Sequence, residues 1–295
     1  MDASVRTTIG ELRPGTDVDG VFACTRKERL TARNGSAYLS LELRDRTGTI
    51  TARAFRDADF LAGQFERGDL VWIGGRVERF RDQLQLALTA IRRADAEGLD
   101  SAEFLPSAYR DLDELDGFLE HLAREVFDPD WRRLLHSFLS DDDFRADFRQ
   151  SPCTRAGHHA YLGGLLEHTV AVATLAQEAC TLHPRLNSDL LMAAALLHDV
   201  GKTREFTLGA EIGLTDEGRL VGHLAIGQQL IAERCAELGD FPAEKLLALS
   251  HCVLTHHGAD GVPARRFGSA EALALYRLNA IDASVKGALE HGLPA

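Results

Sequence analysis

The 295-residue sequence predicts a multidomain protein, β in its N-terminal third and all-α beyond it: a five-stranded β-barrel, a short connection and a helical domain. Apolar residues alternate with period two before Asp95 and take helical spacing beyond Pro106. The charge changes at the same place. From Thr16 to Asp95, 14 Lys and Arg stand against 12 Asp and Glu; the rest of the chain has 19 against 33. The acidic, aperiodic stretch "DAEGLDSAEFLPS" separates the two parts. The expected boundaries are 1–96 for the barrel, 97–108 for a linker and 109–295 for the helical domain.

Five segments alternate as strands: "VDGVFACTRKERL", "AYLSLELRD", "TITARAF", "LVWIGGRVERF" and "QLQLALTAI". Turns are expected at "RTG" and at Arg81-Asp82. "RDADFLAGQFERGD" is the one helical candidate among them, and five strands with one such insertion suit a small closed barrel of the OB type. In the second and third strands Leu39, Leu41, Leu43, Ile50, Ala52 and Ala54 share one face. Tyr38, Ser40, Arg53 and Phe55 take the other, where aromatic rings beside an arginine suit base stacking and phosphate contact. The alternative places Phe55 over the barrel core and Tyr38 half-exposed. Lys27, Arg29 and Arg33, expected in the loop between the first two strands, extend this candidate nucleic-acid surface or are ordinary solvated cations.

Composition excludes several classes. The longest apolar run, Leu190 to Leu197, is too short to span a bilayer, and "MDASVRTTIGELRPG" lacks the apolar stretch of a signal peptide. No membrane partner and a cytoplasmic location are expected. Five cysteines without a C-x-x-C indicate neither a disulfide framework nor a zinc ribbon, and they are expected to be reduced and mostly in the core. Homo-oligomerisation stays open.

In the helical part, "SDLLMAAALL" reads as a buried helix opening on Ser188 as N-cap, with Gly201 as its C-terminal stop. His198 and Asp199 of "LLHDVGK" then fall in its last turn, where a buried carboxylate is costly unless a cation or donor compensates it. His168 shares an apolar stripe with Leu165, Val172 and Leu175. Asp282 lies in a stripe with Leu275, Leu278, Val285 and Leu289. His223 opens one helix, and His256-His257 closes another. These nitrogen and oxygen donors, without thiolate, suit Mn²⁺, Fe²⁺, Co²⁺ or Mg²⁺.

The order His168, His198-Asp199, His223, His256-His257, Asp282 resembles the HD-domain metal-dependent phosphohydrolases over about 157–290. With an OB domain in front, "CTRAGHHAYLGGLLEHT", "HDVGK", "GHLAIG" and "LTHHG" resemble the YhaM-type 3′-to-5′ exoribonucleases across nearly the whole chain. The resemblance implies two divalent ions per chain, Mn²⁺ first. His168, His198, Asp199 and Asp282 would hold one, and Asp199, His223 and His256 the second, with Asp199 bridging; whether His256 or His257 serves is left open. It assigns catalytic roles to Asp199 and to Lys202, which would pair with a substrate phosphate; otherwise Lys202 is a helix C-terminal cation. His158 and His159 match the family's paired histidines. After Asp282 the chain departs from the pattern, "DASVKGALE" offering only Lys286. The function implied is metal-dependent 3′-to-5′ hydrolysis of single-stranded RNA to nucleoside 5′-monophosphates, single-stranded DNA being compatible as substrate. The rivals are a nucleotide or cyclic-nucleotide phosphohydrolase with a regulatory OB domain and a non-catalytic RNA-binding module.

Overall fold

The computed structural model of the protein describes residues 8–32, 35–95 and 98–293. Arg33 lies outside them. The chain divides into two compact units, one comprising the N-terminal part through Pro106 with Leu208–Gly213, the other Ser107–Thr207 with Leu214 onward.

The first unit is a closed barrel of β1 (Asp17–Thr31), β2 (Ala37–Asp45), β3 (Gly48–Ala54), β4 (Leu70–Phe80) and β5 (Gln83–Arg93), with helix α1 (Ala58–Ala62) between β3 and β4. The order around the barrel is β1-β2-β3-β5-β4. Only β3 and β5 run parallel, Thr51 to Arg53 pairing with Gln85 to Ala87. The alternating face of β2 and β3 fills the interior together with Phe22 and Ile73, each large aliphatic side chain contributing about 1.5–3 kcal/mol on burial. Arg81 and Asp82 both have positive φ, 49° and 64°, the mirror-image turn whose twist matches that of the strands it joins.

Two expectations for this unit are corrected. Lys27 and Arg29 lie on β1 rather than in a loop, because the β1–β2 ladder continues as far as Thr31 opposite Ala37. The stretch read as a linker contributes to the first unit: Phe104 and Leu105 are fully buried, and Phe104 packs with Ala23, Leu70 and Ala210. Two large apolar residues in a row outweighed the acidic composition around them.

The second unit contains α2 (Leu112–Arg124), α3 (Pro129–Leu139), α4 (Asp142–Gln150), α5 (Gly164–Leu182), α6 (Ser188–Leu197), α7 (Lys202–Glu205), α8 (Asp216–Leu220), α9 (His223–Glu237), α10 (Ala243–Thr255) and α11 (Ala270–His291). A short hairpin, β6 (Phe206–Leu208) with β7 (Ile212–Leu214), interrupts the expected all-helical run. Every residue of α6 from Leu190 to Leu197 is buried in one core with α5 and α10. The N-cap of α6 is Asn187 and not Ser188: the Asn187 side chain accepts from the Leu190 amide at 3.1 Å.

Gly201 is not a helix stop either. Its backbone is right-handed (φ −64°, ψ −19°), and the chain tightens through it into α7, with Lys202 N donating to Asp199 O and Arg204 N to Gly201 O. Glycine is required by proximity, since a Cβ there would stand 2.1 Å from the His223 carbonyl oxygen and 2.5 Å from the Gly227 nitrogen. The stripe expected along α11 also changes. Leu275 is buried, but Val285 and Leu289 are exposed (55% and 79%). The inward positions of that half are instead Asp282, Lys286 and Glu290, one helical turn apart, bonded to His168, Glu167 and His159.

Gly201→Ala is expected to destabilise the helical unit by about 1–3 kcal/mol, as overpacking against backbone does, and to push His223 away from Asp199. A urea midpoint followed by far-ultraviolet circular dichroism tests this; a wild-type midpoint would refute the close approach.

Candidate metal centre and nucleic-acid face

Asp199 leaves the end of α6 with 1% exposure and presents its two carboxylate oxygens in opposite directions. Oδ2 lies 3.5 Å from His168 Nε2 and 3.4 Å from His198 Nε2. Oδ1 lies 3.3 Å from His256 Nε2 and 3.6 Å from His223 Nε2. His257 Nε2 stands 3.0 Å from His223 Nε2, so both His256 and His257 reach the Oδ1 side.

Each of the four rings around Asp199 is held from behind through Nδ1. His198 donates to the Ala195 carbonyl at 2.8 Å and His256 to the Val253 carbonyl at 2.7 Å. His168 donates to Asp282 Oδ2 at 2.6 Å and His223 to Glu205 Oε1 at 3.0 Å. With the proton committed to Nδ1, every Nε2 aims a lone pair at Asp199. Burial pushes His168 down to about 4 and His256 to about 3, which keeps both rings neutral and able to ligate.

Such an arrangement is unfavourable without a cation. His168 Nε2 and His198 Nε2, both lone-pair bearing, face each other at 3.2 Å. Asp199 Oδ1 and His256 Nε2 are buried with no hydrogen-bond partner. Two donors about 2.1 Å from a shared ion stand about 3.0 Å apart at a right angle and about 3.4 Å apart at the tetrahedral angle. The observed separations of 3.0–3.6 Å match. The donors therefore fit divalent metal, in one group of His168, His198 and Asp199 and another of Asp199, His223, His256 and His257.

Lys202 is buried, its Nζ donating to Asp199 Oδ2 at 2.7 Å. Burial alone would raise the Asp199 pKa, but the Lys202 ammonium outweighs it and holds the carboxyl well below its usual range. Lys202 therefore engages the Asp199 carboxylate in this structure.

Asp282 sits one step behind His168. Its Oδ2 accepts from His168 and, at 2.9 Å, from His159 Nε2; the groups of donors around Asp199 do not include it. In this structure it orients the His168 ring, and with His159 and His168 it forms a further group that could hold a metal. His159 is fully buried. Its Nδ1 lies 2.9 Å from the Tyr161 hydroxyl, which itself donates to Glu167 Oε2 at 2.7 Å, so both ring nitrogens donate. Burial opposes the charge, yet Asp282 and Glu167 raise the His159 pKa. Lys286 closes the chain by donating to Glu167 Oε1 at 2.9 Å. Gly164 permits this packing, as a Cβ there would meet the His159 carbonyl at 2.1 Å.

Sequence reasoning missed three participants here: Glu205, Glu167 and Cys153. The Cys153 sulfur lies 3.9 Å from Asp199 Oδ2 and 3.7 Å from His158 Nε2, so the neighbourhood contains a thiol that the expected oxygen and nitrogen set lacked. Glu205 could have been suspected from its place three residues after Lys202. Cys153, in an aperiodic loop, gave no signal.

On the barrel, Tyr38 and Phe55 stack with centroids 5.3 Å apart, and Phe55 is 57% exposed, so it does not cover the core. The Arg53 guanidinium lies over Tyr38 at 5.8 Å and over Phe80 at 5.4 Å. Phe80, at the β4 end, and Arg81 over it complete an aromatic and cationic platform that strand patterning did not reveal. Lys27 Nζ donates to the Phe65 carbonyl at 2.5 Å and to Glu66 at 3.0 Å, and Arg29 pairs with Asp59.

Because partners behind a ligand fix its ring, His159→Gln is expected to weaken Mn²⁺ binding about 10–100-fold. Mn²⁺ titration of the full chain by electron paramagnetic resonance measures it; unchanged affinity would detach His159 from the centre.

Two family models match the chain: the HD domain over residues 165–283 and the OB-fold nucleic acid binding domain over residues 23–94. The 3′-5′ exoribonuclease YhaM of Shouchella clausii is 30% identical over 279 residues, covering 92% of this chain and 85% of that protein. Those of Halalkalibacterium halodurans (30%, 92% and 84%) and Listeria monocytogenes (29%, 92% and 86%) are similar to the same extent. No helix among the described residues is long and apolar enough to cross a membrane. The chain therefore belongs to the YhaM family of OB- and HD-domain nucleases and is a hydrolytic enzyme.

Proposed function

We propose that this enzyme removes nucleotides from the 3′ end of single-stranded RNA as nucleoside 5′-monophosphates, using two divalent cations, with Mn²⁺ preferred. The observation that carries the reading is Asp199: one buried carboxylate, one oxygen to each of two histidine groups. His168 and His198 with Oδ2 would hold one ion, and His223, His256 and His257 with Oδ1 the other. When bound, such ions supply Lewis acidity that lowers the pKa of water and offsets phosphate charge.

The chain's own residues do the rest. The acceptors behind each imidazole hold its tautomer, so no ring has to move its proton before ligating. Neutral imidazoles add no charge of their own and leave the ions electrophilic. Lys202 keeps Asp199 ionised and holds a positive charge beside it. On the barrel, Tyr38, Phe55, Phe80 and Arg53 offer ring faces and a cation to unpaired bases and phosphates, a mode that tolerates any sequence. Single-stranded DNA fits that platform equally, since stacking does not read the 2′-hydroxyl. The polarity of attack and the choice of RNA rest on the relatives, which are named 3′-5′ exoribonucleases.

Asp199→Ala should abolish hydrolysis while the protein stays folded. The assay is a time course on 5′-labelled single-stranded RNA with Mn²⁺; a ladder of shortening products from this variant would end the proposal, and mononucleotide turnover without RNA shortening would favour the nucleotide-hydrolase reading. Phe55→Ala should weaken single-stranded RNA binding by about 1–3 kcal/mol, far more than it slows cleavage of a small chromogenic phosphodiester. Equal losses in fluorescence anisotropy and in that cleavage assay would count against stacking on the barrel.

A further inference from the structure

Cys153 lies in the loop between α4 and α5 with 1% exposure. Its amide donates to the His159 carbonyl at 3.0 Å, which fixes the loop with the sulfur turned inward. Sγ then stands 3.7 Å from His158 Nε2, and Cys153, His158 and His168 each place one donor atom within 4.8 Å of the others. A sulfur about 2.3 Å and a nitrogen about 2.1 Å from one zinc-class ion stand about 3.6 Å apart at the tetrahedral angle. The observed separation agrees. Asp199 Oδ2, 3.9 Å from Sγ, borders the same space. A cation already sits there: Lys202 Nζ lies 3.3 Å from Sγ and 2.7 Å from Oδ2.

We propose that Cys153, His158 and His168 form a distinct thiophilic site that takes a zinc-class cation and competes with the neighbouring centre for His168. The step balances simply. The S–H bond breaks and its proton leaves to water, a cation–sulfur bond forms, and the Lys202 ammonium is displaced from the sulfur. Hard ions such as Mn²⁺ and Mg²⁺ prefer oxygen and imidazole and pass the thiol by, whereas soft or borderline ions bind it. A zinc-class ion here takes His168 and dislodges Lys202, and both losses fall on Asp199. The chain thus carries, beside a centre suited to hard cations, a trap for the ions that would compete there. Among the described residues, none of the other four cysteines belongs to a potential metal-binding group.

Binding depends only on the donor set; the inhibitory consequence rests on the nuclease reading. The full-length protein, in buffer containing Mn²⁺, is titrated with Cd²⁺ as the probe and followed by thiolate-to-cadmium charge-transfer absorption. The expected result is a band that saturates at one equivalent per chain, disappears in Cys153→Ser and persists in Cys180→Ser, which alters the half-exposed cysteine. His158→Ala, at a partly exposed position, should weaken Cd²⁺ binding about tenfold or more. Absence of the band in the wild type, its survival in Cys153→Ser, or unchanged affinity in His158→Ala would each overturn the site. This measurement involves no turnover, so its failure leaves the nuclease reading standing. In the RNA assay, the Zn²⁺ concentration that halves each protein's own zinc-free rate should rise at least about tenfold in Cys153→Ser; equal sensitivity would overturn the competition for His168.

Discussion

The burial of one carboxylate organises the helical unit. Asp199 ends an apolar helix with 1% exposure, where an uncompensated charge would cost several kcal/mol. Lys202 compensates Oδ2, and Oδ1 is left without any hydrogen-bond donor. Four imidazoles surround the group, and each has its proton turned outward to a carbonyl or carboxylate. A core that only had to fold would have turned at least one N–H inward. The inverted proton arrangement suits a site whose donors converge on a cation.

That constraint propagates outward through backbone proximity. α7 follows α6 after one tight turn, in which Gly201 passes within contact distance of the start of α9, where His223 faces Asp199. Glu205, at the end of α7, then accepts from both the amide and Nδ1 of His223, so the turn that carries Lys202 also orients the opposite ring. On the other side, His159 holds Asp282 and Asp282 holds His168, with Glu167 and Lys286 settling the remaining charge. Four separate stretches of sequence, at α5, α6, α9 and α10, bring imidazoles to one carboxylate.

Much of this was legible because burial imposes period. The inward faces of β2 and β3 follow from strict alternation, and His198-Asp199 stand out because eight apolar residues precede them. Histidines at helix ends were visible for the same reason. What failed to show were features that periodicity does not encode. Asp282 shares helical spacing with Val285 and Leu289, yet the inward side of α11 turns polar there, so a stripe read as apolar misplaced its neighbours. Cys153 reaches the centre from an irregular loop, and Gly201 is dictated by another helix rather than by its own. Phe80 enters the turn that Arg81 and Asp82 make, where strand alternation ends. Lys27 and Arg29 lie on β1, within the segment read as the first strand, and each has a carboxylate partner.

These commitments bear on how an acidic chain, net −12, handles a polyanion. Within the barrel segment Arg26, Lys27, Arg29, Arg67, Arg76 and Arg93 already lie within ion-pairing distance of Asp or Glu. Arg53 differs: it has aromatic rings on two sides, and its Nε has no hydrogen-bond partner. Attraction on this surface is therefore local, a guanidinium among ring faces, rather than a long-range pull. Stacking needs exposed base faces, and a duplex hides them. The selectivity for single strands proposed here follows from the rings the barrel presents.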